Sequence, residues 1–109
     1  MTRTMKILGY TYKVIQEGDD DMIGSFGRHH PKGQVIQIAE GLSPDQTIST
    51  VLHEIIEALN YCMELGLEHS AKMSLESGLY QVLTDNGVDL SPLWPTEPCV
   101  LKLMREQYE

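Results

Sequence analysis

The stretch "STVLHEIIEALNYCMELGLEH", Ser49 to His69, holds the residues best suited to chemistry. His53 and Glu57 stand four apart, so on a helix their side chains share one face and can converge on one ion. Imidazole nitrogen and carboxylate oxygen are both zinc donors. Glu54 lies about 100° further round the helix, off that shared face. From there it can hold a water beside a metal without being a ligand, the general-base position of H-E-x-x-H enzymes. Here the pattern reads H-E-x-x-E. Alone it is weak, because an amphipathic helix whose solvated face carries His53, Glu57 and Glu64 gives the same spacing.

A catalytic zinc keeps three protein ligands and one open position, so a third ligand has to come from elsewhere. On the expected second helix His69, Met73, Glu76 and Tyr80 fall on one side, away from its apolar stripe. His69 lies just past the Gly66 turn, and eighteen residues separate Glu57 from Glu76. A tight antiparallel hairpin pivoting near Gly66 favours Glu76. Ligand chemistry favours His69, because a second carboxylate in its place would make a harder, oxygen-rich site. His69 ranks first and Glu76 second. The expectation is a Zn2+ site of His53, Glu57 and His69, with Glu54 as the catalytic base. His29 and His30, in "GRHHPKG", read as loop residues. Cys62 reads as a small core residue, Tyr80 as a packing residue and Trp94 as a cover for the core edge.

Several elements have to position this set. "MKILGYTYKVIQ", Met5 to Gln16, reads as one strand kinked at Gly9. "EGDDD" is a turn, and "MIGSFGRHHPKG" a weak strand or loop. "QVIQIAE" alternates as a second strand, with Val35 and either Ile36 or Ile38 facing the core. "GLSPDQTIS" is a helix start: Ser43 caps, Pro44 takes the first helical position, and Gln46 completes a capping box. Ile48, Val51, Leu52, Ile55, Leu59 and Cys62 then form an apolar stripe, and Gly66 stops the helix. A second helix is expected from about Glu68 to Asp85, with Ala71, Leu75, Leu79 and Val82 as its stripe and Asn86-Gly87 ending it. The tail from Val88 carries Pro92, Pro95 and Pro98 and reads as extended packing followed by one or two helical turns.

Composition narrows the classes of function. The 109 residues suit one domain, and a formal charge of -8 without a Lys/Arg cluster argues against nucleic acid and anionic membranes as partners. The start lacks an apolar run long enough for a signal peptide, and Cys62 and Cys99 form no ligand-spaced cluster. A cytoplasmic protein with free thiols is expected. The partner class is a peptide or protein substrate, and the oligomeric state is open.

"ILGYTYKV", "IGSFG", "QVIQIAEGLSPDQTISTVLHEIIEALNY", "LEH" and "LESGLYQVLTDN", in this order, resemble small phage and prophage proteins. These belong with the minimal zincin metallopeptidases related to the ImmA/IrrE group. The resemblance covers residues 5 to 87 and rests on the ordered set. It implies an α+β fold: a small twisted sheet packed on an active-site helix and a following helix, in a bacterial host cytoplasm. In relatives the motif is often H-E-x-x-H, with an acidic or histidine residue opening the next helix, here His69. The departure is Glu57, which keeps a ligand while making the zinc a weaker Lewis acid. Zincins commonly bind peptides as an added strand along the sheet edge before the active helix, the place that "GQVIQIAE" is expected to fill. Two functions follow: a zinc-dependent peptidase, or a catalytically inactive zincin-like module that acts by binding a partner.

Overall fold

The computed structural model describes residues 3–18, 22 and 24–94. It is an α+β fold in which four strands form one mixed sheet against a long helix. The strands are β1 (Arg3–Ile7), β2 (Tyr10–Glu17), β3 (Gly27–His30) and β4 (Val35–Ala39). The helices are α1 (Pro44–Met63) and α2 (His69–Asp85), followed by a 3-10 turn at Ser91–Leu93. The expected α+β class holds. The turn expected at "EGDDD" falls partly, and the final helical turns and Cys99 wholly, outside the described residues.

The single strand expected from Met5 to Gln16 is a hairpin. Leu8 (φ 51°) and Gly9 (φ 85°) both take the left-handed region, which is the geometry of a two-residue primed turn, and the chain reverses there. β4 runs parallel to β2 and antiparallel to β3, giving the order β1-β2-β4-β3. This overturns the placement of "GQVIQIAE" on the edge. β4 is paired on both sides, and the edge beside the helix is β3, including the two histidines expected in a loop.

Alternation along β4 puts Ile36 and Ile38 together on the core face, both at 0% exposure, and turns Val35 and Gln37 away. They pack with Ile7, Tyr12, Val14, Val51 and Ala58. α1 begins as its cap predicts: the Ser43 hydroxyl accepts from Gln46 N–H, and the Gln46 side chain accepts from Ser43 N–H. Of its expected stripe, Ile48, Val51 and Leu52 are buried and Ile55, Leu59 and Cys62 half-buried, while Ile56 and Ala58 are buried as well. The helix closes at Glu64, in the left-handed region (φ 51°), two residues before Gly66.

α2 differs from its expected role. It packs on α1, and none of its residues is buried; Leu75, Leu79 and Val82 of the expected stripe are exposed. An apolar stripe at helical spacing shows that a face exists, and the tertiary fold decides whether it is covered.

Candidate metal centre

The edge strand, α1 and α2 meet around His53. The α1/α2 hairpin is antiparallel and sets Glu76 beside His53 and Lys72 beside Glu57. Both imidazole nitrogens face carboxylates. Nε2 lies 3.9 Å from Glu57 Oε1, and Nδ1 lies 3.2 Å from Glu76 Oε1. The second approach is close but misdirected: Nδ1 is buried and makes no hydrogen bond among the described residues. His69 brings its ring edge-on to His53, with centroids 6.4 Å apart. The antiparallel hairpin thus brings Glu76, the residue it favours, within 3.2 Å of His53 Nδ1.

Lys72, unremarked in the sequence, ties the helices together. Its Nζ is 2.6 Å from Glu57 Oε1. It follows His69 by three residues and precedes Glu76 by four, so helical spacing alone places it on their face. With the side chains in these positions, no group of three or more His, Cys, Asp or Glu residues among the described ones is gathered tightly enough to hold an ion.

Glu54 sits apart from the His53/Glu57 face, as its helical angle requires. It points under β3 and is only 5% exposed. Gly27 makes the room: a Cβ there would lie 2.7 Å from Thr50 Cγ2 and 3.0 Å from both Glu54 Cγ and Oε1. No hydrogen bond from another described residue reaches the Glu54 carboxyl. Burial, then the Glu57 and Glu76 charges, raise its pKa from 4.5 to about 7, with Lys72 opposing them. Its carboxyl lines two adjoining hollows. One, of about 390 Å3, runs beside Gly24 to Gly27 and Met73; the other, of about 400 Å3, opens between β3 and His53, Glu57, His69 and Lys72.

The second hollow follows the open edge of the sheet. Ala39 N–H donates to Phe26 O at 2.8 Å, in register with the β3/β4 pairs. Alternation of an antiparallel ladder then turns the backbone groups of Arg28 and His30 toward β4, and those of Gly27 and His29 toward the open edge. The His29 side chain lies on the α1 side. Its Nε2 is 3.1 Å from the Tyr12 hydroxyl, and its ring meets Tyr61 edge-on at 6.0 Å. Burial lowers the His29 pKa, which favours its neutral ring beside the phenol. His30 Nε2 pairs with Gln37 Oε1 at 2.6 Å instead.

The remaining residues fall outside the cleft. Tyr80 donates to Asp45 Oδ1 at 3.0 Å, Cys62 Sγ lies 4.0 Å from the Tyr12 hydroxyl, and Trp94 is half-buried after the 3-10 turn. No helix among the described residues is long and apolar enough to cross a membrane. No family model, curated protein or solved structure matches the chain.

Proposed function

We propose that the chain is a zinc-dependent peptidase whose cleft lies between the β3 edge and the α1/α2 hairpin. The observation that carries this reading is the setting of His53. Its two nitrogens face one carboxylate each, and a third carboxyl, Glu54, is buried next to them with a pKa raised to about 7. Three carboxyls with a single ammonium, Lys72, among them leave negative charge that a divalent cation would offset. The ordered resemblance to small zincins supports the same reading.

The residues divide into roles. His53 Nε2 and Glu57 share one side and are the first two ligands, with His69 from the start of α2 as the third. Glu76 faces the other nitrogen of His53. A carboxylate there commonly accepts the second N–H of a ligating imidazole, and a small rotation of the ring would let Glu76 do so, which makes it the positioning residue. When bound, the metal supplies the Lewis acid that activates water and polarises the scissile carbonyl. Glu54 takes the proton from that water and returns it to the leaving amine, a task suited to a group titrating near neutrality. The outward backbone groups of Gly27 and His29 hold the substrate as an added strand.

Elemental analysis of protein purified without chelator should find about one zinc per chain. His53→Ala should lose it. Glu54→Gln should keep the zinc and lose cleavage of a mixed peptide library by about a hundredfold or more. His69→Ala should weaken zinc binding more than Glu76→Ala, whose cost is about tenfold or more as an orienting residue. The reverse order would exchange the two roles. Zinc-loaded wild type that cleaves nothing in the library would favour the partner-binding module. Equal zinc in wild type and His53→Ala would sink the centre altogether.

A further inference from the structure

Behind His29 lies a second hollow of different chemistry, about 560 Å3 in volume. Tyr10 and Tyr12 of β2, Tyr61 of α1 and Glu64, the residue that caps α1, line it, and the β3–β4 turn closes it with Pro31 and Gln34. Three of the chain's five tyrosines are gathered here, and among the described residues none of those lining it is basic. The Tyr12 phenol is buried at the back, while Tyr10 and Tyr61 stand at the mouth, each more than half exposed. Hydrophobic burial alone does not account for two tyrosines left facing open space beside a carboxylate.

We propose that this hollow is a recognition pocket for a cationic side chain, arginine or lysine, of an extended peptide. Four features agree on the sign of the charge. Tyrosine faces carry negative quadrupole density and attract cations, as aromatic cages do. Glu64, an acidic residue, lines the pocket with them. The pocket is at the carboxyl end of α1, the negative pole of the helix, and the last turn of α1 contains no basic residue to offset it. The whole chain carries a formal charge of -8, which draws cationic partners toward it.

Backbone geometry adds an independent argument. Among the described residues only Leu8, Gln34 and Glu64 are non-glycine residues with positive φ. Leu8 belongs to the hairpin turn, whereas Gln34 (φ 52°) and Glu64 (φ 51°) both line this pocket. Glycine occupies that conformation without steric penalty and is the usual residue where a helix closes this way. Keeping Glu64 there costs backbone energy, and its side chain gains no hydrogen bond from another described residue in return. A function in the pocket explains its presence. His29, which lines the cleft, touches two of the pocket's tyrosines, Tyr12 and Tyr61. On the peptidase reading, which this last step rests on, a strand along β3 would place one basic side chain here and its backbone in the cleft.

The test uses metal-free full-length protein and the peptide acetyl-Gly-Gly-Arg-Gly-Gly-amide, with versions carrying Lys, Leu or Glu at the centre, followed by NMR titration. The Arg and Lys peptides should shift the Tyr10 and Tyr61 ring resonances and bind about threefold or more tightly than the Leu peptide, the scale of an exposed cation–π contact. The Glu peptide should be the weakest. Tyr61→Ala and Glu64→Gln should each remove most of the preference for Arg over Leu. Glu64→Gly relieves the left-handed backbone, so it should melt no lower than wild type while losing the same preference. Because the titration uses metal-free protein and reads binding alone, its outcome does not depend on the metal centre or on cleavage. A Leu peptide that binds as tightly as the Arg peptide, or an Arg preference that survives both Tyr61→Ala and Glu64→Gln, would overturn the proposal.

Discussion

α1 and α2 are neighbours of similar length, twenty and seventeen residues, and they are anchored in opposite ways. α1 buries eight residues against the sheet, including Val51 and Ala58 at 0% exposure. α2 buries none. Its described links to α1 at the centre are polar: Lys72 to Glu57, Glu76 to His53, and Tyr80 to Asp45 near the α1 start. The proposed centre is therefore divided between a helix fixed by the core and one held largely through the site itself. Hydrophobic burial is non-directional and strong, whereas partly exposed ion pairs are directional and weak. His53, Glu54 and Glu57 are thus placed by the fold, and His69, Lys72 and Glu76 by their contacts with them.

The largest expected contrast is in stability. Ile56 on α1 is buried, and Ile56→Ala should cost about 2–5 kcal/mol in transfer and cavity terms. Leu79 on α2 is exposed, and Leu79→Ala should change stability by less than about 0.5 kcal/mol. Denaturant melts of both variants check this. A large loss at Leu79 would mean that the α2 stripe is covered in solution and that the two helices are anchored alike.

A smaller effect is expected where α1 meets the site. Glu54 titrates at about 7 in the fold against 4.5 as its ordinary value, so the folded chain holds this proton more tightly than the unfolded chain. Its contribution is then fully present below pH 4.5 and is lost as pH rises through about 7. Glu54→Gln removes the titration and leaves a neutral side chain of the same shape. With a chelator present, the variant should be more stable than wild type above pH 7 by on the order of 2 kcal/mol, and nearly equal to it below pH 4.5. A pH-independent difference would show that Glu54 is solvated and not held under Gly27.

The contrast between the helices also marks what the sequence reveals. The start of α1 is legible because Ser43, Pro44 and Gln46 act within one turn, and the His53/Glu57 face follows from helical spacing. The split of β1 from β2 escapes because Leu8-Gly9 lacks the Asn-Gly or Asp-Gly signature of a two-residue hairpin. β3 is only half legible, as a weak strand or loop, because it is short and ends on two histidines, residues with little strand preference. Its place on the edge depends on β4 inserting beside β2, a non-local pairing that no local pattern encodes. At the site, the Gly27 cradle for Glu54 joins residues distant in sequence, and the Glu76 approach to His53 depends on a helix crossing that periodicity does not fix. The tyrosine pocket was invisible for the same reason: Tyr10, Tyr12, Gln34, Tyr61 and Glu64 come from three separate segments.

The smallest expected effect tests what holds α2 in place. The Lys72–Glu57 pair spans the helices at 2.6 Å, with side chains 15% and 29% exposed. A pair this accessible contributes about 0.2–1 kcal/mol, too little to unfold the domain when removed. Global melting should therefore hardly register Lys72→Met. Local opening should, because α2 has no buried residue to oppose its detachment. Amide hydrogen exchange across Lys72 to Tyr80 should quicken by about twofold to fivefold, as that energy implies, while the amides of Val51 to Ala58 keep their wild-type protection. Glu57→Gln should have the same effect, and the double variant should add little to either single one, since both remove one contact. Equal acceleration in both helices would mean that α2 opens only with the whole domain. Additive effects would mean that Lys72 and Glu57 act on different partners, and the polar seam between the helices would have to be placed elsewhere, with the His53–Glu76 approach the next to examine.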